Sequence, residues 1–208
     1  MRKLVYGVGV NDADYVTQLY EEYGYVNGKR KRKKLWTCPF YQTWANMLER
    51  GYRKGYKIKY PTYEDVTVCE KWHRFSVFKS WMEQKDWVDK QLDKDLLVQG
   101  NKVYCPEACV FVSGQVNMFL TTSSGSRGEY KIGVSWHRDV GKFMANCRDP
   151  FTRKGEYLGL FLTEEEAHEA WLTKKLEHAC ALAALQTDER VAKALIDYYE
   201  NYNSERRI

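Results

Sequence analysis

The chain has 208 residues, room for one or two modest domains with cores of their own. Its 33 Lys and Arg outweigh 28 Asp and Glu to give a formal net charge of +5, a mild basic excess that fits nucleic acid better than an acidic surface. No stretch approaches the apolar length of a membrane span, and the opening MRKLVYGVGV is too short and weakly apolar for a signal peptide, so six cysteines lead to the expectation of an intracellular, reducing setting with free thiols.

Residues 1–35 read as a loop-rich, basic N-terminal arm that ends in Lys29, Arg30, Lys31, Arg32, Lys33 and Lys34. That run cannot sit in a core. It suits a phosphate-binding loop or arm, since each phosphate neutralised releases counterions. A solvated loop and a nuclear localisation signal have the same composition.

Residues 36–120 form the next predicted unit. Phe40, Trp44, Met47 and Leu48 recur at helical spacing up to Gly51, residues 55–61 read as a basic loop, and Val66 and Val68 as a short extended piece. Trp72, Phe75, Phe78, Trp81 and Met82 predict an amphipathic helix over 70–84. The aromatic residues here are interleaved with Arg50, Arg53, Lys54, Lys57 and Lys59; they could stack on nucleic acid, or simply build a small core from large side chains. Cys105 and Cys109 are four apart and Cys38 and Cys69 could join them, but there is no CxxC pair, so buried thiols are expected rather than zinc.

Residues 121–129, rich in Ser, Thr and Gly, read as a linker. Beyond it, Ile132, Val134 and Trp136 alternate with Gly133, Ser135 and His137, and Phe143, Ala145 and Cys147 alternate with Lys142, Met144, Asn146 and Arg148. A period of two predicts half-buried strands. A tight turn at Asp139, Val140 and Gly141 and a longer one over 149–155 separate them from a third strand with Tyr157, Leu158 and Leu160. Thr163 and Glu166 have capping-box spacing at the head of a helix running to about Leu185, on which His168 and His178 are expected at the surface. Residues 130–185 thus form one unit, and 186–208 carry a last helix with Val191, Leu195, Ile196 and Tyr199 along one side. The face left in front of the sheet carries Ser135, His137, Arg138, Lys142, Asn146, Arg148 and Lys154. Such a face could enter the major groove of double-stranded DNA, with Arg reading guanine, Asn adenine, and Lys binding phosphates.

The runs GKFMANCRDP, YLGLF and EEAHEAW resemble the plant ethylene-response-factor (APETALA-type) DNA-binding domain, in the shorter form found in phage and mobile-element endonucleases. The resemblance implies a three-stranded antiparallel sheet packed on one helix, with Ser135, His137, Lys142, Asn146, Arg148 and Tyr157 facing DNA. Ser135, His137 and Asn146 stand where plant members carry Arg, Arg and Glu, so base preference does not transfer.

Residues 92–120, LDKDLLVQGNKVYCPEACVFVSGQVNMFL, resemble the ββα-metal motif of phage HNH homing endonucleases, through Leu92, Asp93 and Lys94, the turn at Gly100 and Asn101, then Val103, Tyr104, Pro106, Glu107, Cys109 and Asn117. The resemblance implies Asp93 as the ligand of a Mg²⁺ ion, assisted by Asn117 or Asn101, with Asp95 or His73 as possible substitutes for missing parts. Lys94 stands where that family carries its His base, and Ala108 where it carries a second metal ligand. The expected fold class is therefore α+β: an HNH-like unit with flanking helices, then the sheet and helix. The expected function is sequence-directed DNA binding by a phage or mobile-element endonuclease that cuts or nicks with Mg²⁺, located in the bacterial cytoplasm or nucleoid. The alternative is a nuclease-derived protein without catalysis that binds DNA or a host protein, as a regulator or counter-defence factor; a third reading makes Asp93 and Asp95 plain turn and hairpin carboxylates with no nuclease fold behind them. RNA is the weaker expectation, because the sheet lacks paired exposed aromatics.

Overall fold

The structure, a computed structural model, describes residues 3–121 and 129–202, with all their side chains except those of Val26 and Lys29. It is mixed α and β, and it divides into two compact units, Met1–Phe111 and Val112–Ile208. Most of the predicted 121–129 linker, residues 122–128, lies outside the described residues. Among those described, no helix is long and apolar enough to cross a membrane.

The first unit begins differently from the loop-rich arm expected over 1–35. Val5 and Val8 pack against the core, and Val10 joins the segment at 73–75 through a hydrogen bond from its N–H to the His73 carbonyl (2.8 Å) and another from Phe75 to its own carbonyl (3.0 Å). Gly9 sits so close to the helix behind it that a Cβ would meet Leu48 at 2.4 Å. The chain then forms a long antiparallel hairpin, β1 (Gln18–Val26) and β2 (Lys29–Thr37). Its turn is Asn27–Gly28, both at positive φ (51° and 71°), the geometry that matches the twist of a two-stranded ribbon.

Helix α1 (Pro39–Tyr52) starts on a proline whose missing N–H costs nothing there, and turns Tyr41, Trp44, Met47 and Leu48 inward. The predicted loop at 55–61 is mostly a short helix, α2 (Lys54–Lys59). The predicted helix over 70–84 is divided into a 3₁₀ turn, Glu70–His73, and α3 (Phe75–Met82). Asp12 reaches from the N-terminal segment to the head of α3, accepting from the Ser76 N–H (2.8 Å) and hydroxyl (2.7 Å). Trp44, Trp72, Phe75 and Phe78 are fully buried, and Trp44 Nε1 donates to the Trp72 carbonyl at 2.6 Å. The first-half aromatics are thus mainly core.

Short strands complete the unit. β3 (Thr67–Val68) pairs in parallel with β5 (Val103–Tyr104), and β4 (Lys90–Asp93) pairs with β6 (Val110–Ser113). The two strands expected to form one ββα hairpin are therefore not each other's partners.

The second unit contains α4 (Gly114–Leu120), β7 (Val134–His137), β8 (Lys142–Arg148), β9 (Gly155–Phe161), α5 (Glu164–Ala183) and α6 (Glu189–Glu200). The expected boundary at 120 moves to 111, because α4 finds its partners here. Phe119 lies 5.1 Å from the Tyr199 ring and under the Lys175 ammonium (4.0 Å), and its carbonyl accepts from the Tyr199 hydroxyl (3.1 Å).

Candidate nucleic-acid interface

The three strands β7, β8 and β9 form an antiparallel sheet in that order. Alternation along β8 sends Ala145 and Cys147 to the back, where both are buried. Small side chains at the centre let α5 approach closely, so Ala167, Trp171, Ala179 and Leu182 are buried too. Burial pushes the Cys147 thiol up to about 11, which leaves it protonated and inert.

The helix is fixed at its head by the capping box that the sequence indicated. Thr163 Oγ1 accepts from the Glu166 N–H (3.2 Å), and the Glu166 carboxylate accepts from the N–H groups of Thr163 (3.2 Å) and Leu162 (3.1 Å). His168 and His178 are not on the surface as expected. His168 is buried, stacks on Trp171 and donates through Nδ1 to the Ile132 carbonyl (3.0 Å); His178 is buried beside Cys147, with 3.8 Å between Nδ1 and Sγ.

With the back committed to packing, the register decides the front. Ser135 pairs with Met144, His137 with Lys142, Asn146 with Tyr157, and Arg148 with Gly155. Directly paired residues share a face, so Ser135, His137, Lys142, Asn146, Arg148 and Tyr157 lie together. Met144, opposite Leu160, stands among them. It sits in the alternation that selects the polar set, but a search for polar groups passes over it. Arg138 is in the first turn and Lys154 in the second loop, both exposed.

That second loop is built by Asp149. Its carboxylate accepts from the Phe151 N–H (2.7 Å) and the Thr152 hydroxyl (2.7 Å), and these bonds hold its pKa below the usual carboxylate value. The loop returns to the sheet where Arg148 Nε donates to the Arg153 carbonyl (3.0 Å). That bond ties the exposed Arg148 side chain to the loop through Nε. Tyr157, 62% exposed, is the large aromatic of this face.

The residues gathered as catalytic candidates have other partners. Asp93 Oδ1 accepts from the N–H groups of Asp95 (3.0 Å) and Leu96 (2.7 Å), an Asx turn. Burial, and secondarily the Asp95 carboxylate, raise its pKa. Lys94 is buried, donating to the Asn101 carbonyl (3.0 Å) 3.2 Å from the Asp95 carboxylate. Asn101 spends its amide on the same loop, donating to the Lys94 (2.6 Å) and Val103 (2.8 Å) carbonyls and accepting from the Val103 N–H (3.1 Å). His73 meets the Tyr52 hydroxyl at 2.8 Å. Asn117 belongs to the second unit. Asp93 spends Oδ1 on two N–H groups, and the Asp95 carboxylate beside it is held against the Lys94 ammonium, an arrangement that does not fit a magnesium ion, which favours several free oxygens.

No protein-family model matches the chain, and no solved structure does. Over 82 residues it is 46% identical to an ethylene-responsive transcription factor of Arabidopsis thaliana, an alignment covering 36% of this chain and 25% of that protein. The chain thus spans about a quarter of the relative's length.

Proposed function

We propose that this chain binds duplex DNA through the front of the β7–β8–β9 sheet and reads part of its sequence there. The observation that carries the reading is the register-fixed face of Lys142, Asn146, Arg148 and Tyr157, on a chain 46% identical over 82 residues to a transcription factor. In the major groove, Arg148 reads guanine by a bidentate pair, Asn146 reads adenine, and Met144 offers an apolar contact to a thymine methyl. Lys142, Lys154 and Arg138 hold phosphates and set the register on the duplex.

Selection of duplexes from a random library, followed by anisotropy titrations, tests this. Arg148→Ala is expected to weaken binding to the selected duplex by about 1 to 3 kcal/mol and to relax preference at one position. Lys142→Ala is expected to lower affinity on all sequences and to reduce the salt slope by about 1. An unsubstituted chain that selects no sequence sinks the reading.

The hydrogen bonding around Asp93 favours the alternative of binding without cleavage over the endonuclease expected from the sequence. Supercoiled plasmid incubated with Mg²⁺ is expected to stay intact. Nicking that disappears in Asp93→Ala would restore the nuclease.

A further inference from the structure

The strongest charged patch outside the sheet is the β1–β2 hairpin. Between Gln18 and Thr37 the sequence holds six cations, Lys29–Lys34, and only two carboxylates, Glu21 and Glu22. Two strands of nine residues make a ribbon of about 30 Å, and exposed Tyr20, Tyr23 and Tyr25 show that little of it is covered. An isolated ribbon of this kind is marginal in water. Here two arginines brace it. Arg30 donates to the Tyr25 hydroxyl (3.1 Å) and to Glu22 (3.3 Å), and Arg32 lies 4.9 Å from the centre of the Tyr20 ring.

The lysines are deployed differently. Lys31, Lys33 and Lys34 are exposed and make no ion pair among the described residues. Alternation along β2 puts Lys34 on the face of Arg30 and Arg32, and Lys31 and Lys33 on the opposite face. Lys31 lies across from Gly24, which has no side chain to screen it. The exposed apolar side chains Leu19, Leu35 and Trp36 lie at the base of the ribbon, and cations stand on both faces of its outer part, whereas an element that lies on a lipid surface keeps its charges on one face. The ribbon's charges fit a partner that presents phosphates on two sides at once.

We propose that the hairpin is a second DNA-contacting element, which enters the major groove edge-on and sets Lys31 and Lys33 against one phosphate wall and Lys34 against the other. The groove is about 12 Å wide and admits a two-stranded ribbon, whereas the deep, narrow groove of duplex RNA does not. The contact is to phosphates, so it is blind to sequence, and it does not depend on the sheet reading bases.

The test uses the full chain, with Lys31, Lys33 and Lys34 changed together to Gln and, as a charge-keeping control, together to Arg. Binding to a random duplex and to a library-selected duplex is measured across a salt series. The Gln variant is expected to lose affinity for both duplexes by the same factor, with the slope of log K against log salt smaller by roughly 2 to 3, while the Arg variant keeps the slope. Circular dichroism verifies that both variants are folded. The proposal is overturned by an unchanged slope in the Gln variant, by a loss confined to the selected duplex, or by an unsubstituted chain with no salt-sensitive duplex binding. It is also overturned if the Gln variant loses only binding to phosphatidylcholine–phosphatidylserine vesicles or to duplex RNA. Asn146→Ala serves as the separate control: a preference that survives it counts against base reading by the sheet and leaves the hairpin result standing.

Discussion

Gly133 shows how one residue can set the geometry of the face. It adopts φ +82°, and a Cβ there would lie 2.1 Å from the Trp171 ring, while its carbonyl accepts from the Asn146 N–H (2.9 Å). Gly133→Ala combines backbone strain with overpacking, so it is expected to destabilise the second unit by about 2 to 4 kcal/mol, read from the urea midpoint by circular dichroism. His178 acts at the same scale through its proton. Burial, the largest effect, lowers its pKa, Glu156 and Asp149 oppose that shift, and Lys174 and Lys175 add to it. The unfolded chain therefore takes up the proton first, at roughly pH 6.5. The stability associated with neutral His178 is complete above that value and declines as the pH falls below it. Urea midpoints compared from about pH 7.5 to about pH 5 should drop for the native chain and drop less for His178→Gln; equal slopes would remove His178 from the account.

At the scale of elements, α5 and the hairpin stand at opposite ends of what the sequence discloses. The Thr163 and Glu166 capping box was legible because a cap needs only neighbours in the chain. Thr163→Ala is expected to cost about 1 kcal/mol in the second unit's stability, with a smaller loss for Thr163→Ser, measured by thermal melting. The alternation of β8 was legible for the same reason, and it selected the front face before any contact was known. The β1–β2 hairpin was not, because Tyr, Glu, Lys and Arg occupy both of its faces and leave no apolar period to follow. Its one local signal was Asn27–Gly28, and the charge run beside it drew the reading towards a loop. His168 and His178 were missed because their partners, the Ile132 carbonyl and the Cys147 thiol, lie more than thirty residues away in sequence. Asp93 illustrates a different difficulty. A carboxylate on a strand end serves an Asx turn or a metal equally well in sequence, and only the N–H groups of Asp95 and Leu96 reveal its use.

At the scale of the molecule, each unit has a core of its own, one around Trp44, Trp72, Phe75 and Phe78 and the other around Ala145, Trp171, Leu182 and Leu195. Cores that are separate can fail separately. Trp72 is fully buried, packs 4.6 Å from Trp81 and 5.1 Å from Phe78, and its carbonyl holds the Trp44 indole. Trp72→Ala is therefore expected to cost the first unit about 3 to 5 kcal/mol. Hydrogen exchange resolved by residue should show the loss over 38–111 and leave α5 and the β7–β9 sheet protected as before. The DNA measurements then divide in the same way. Once the first unit is loosened, the hairpin is no longer held at its base, so the salt slope should fall as in the triple lysine variant. The preference for the selected duplex, which belongs to the sheet, should persist. Loss of protection in both units together, or of preference together with slope, would mean that the two cores fold as one cooperative body and that the division of labour between phosphate grip and base reading does not follow the division of the chain.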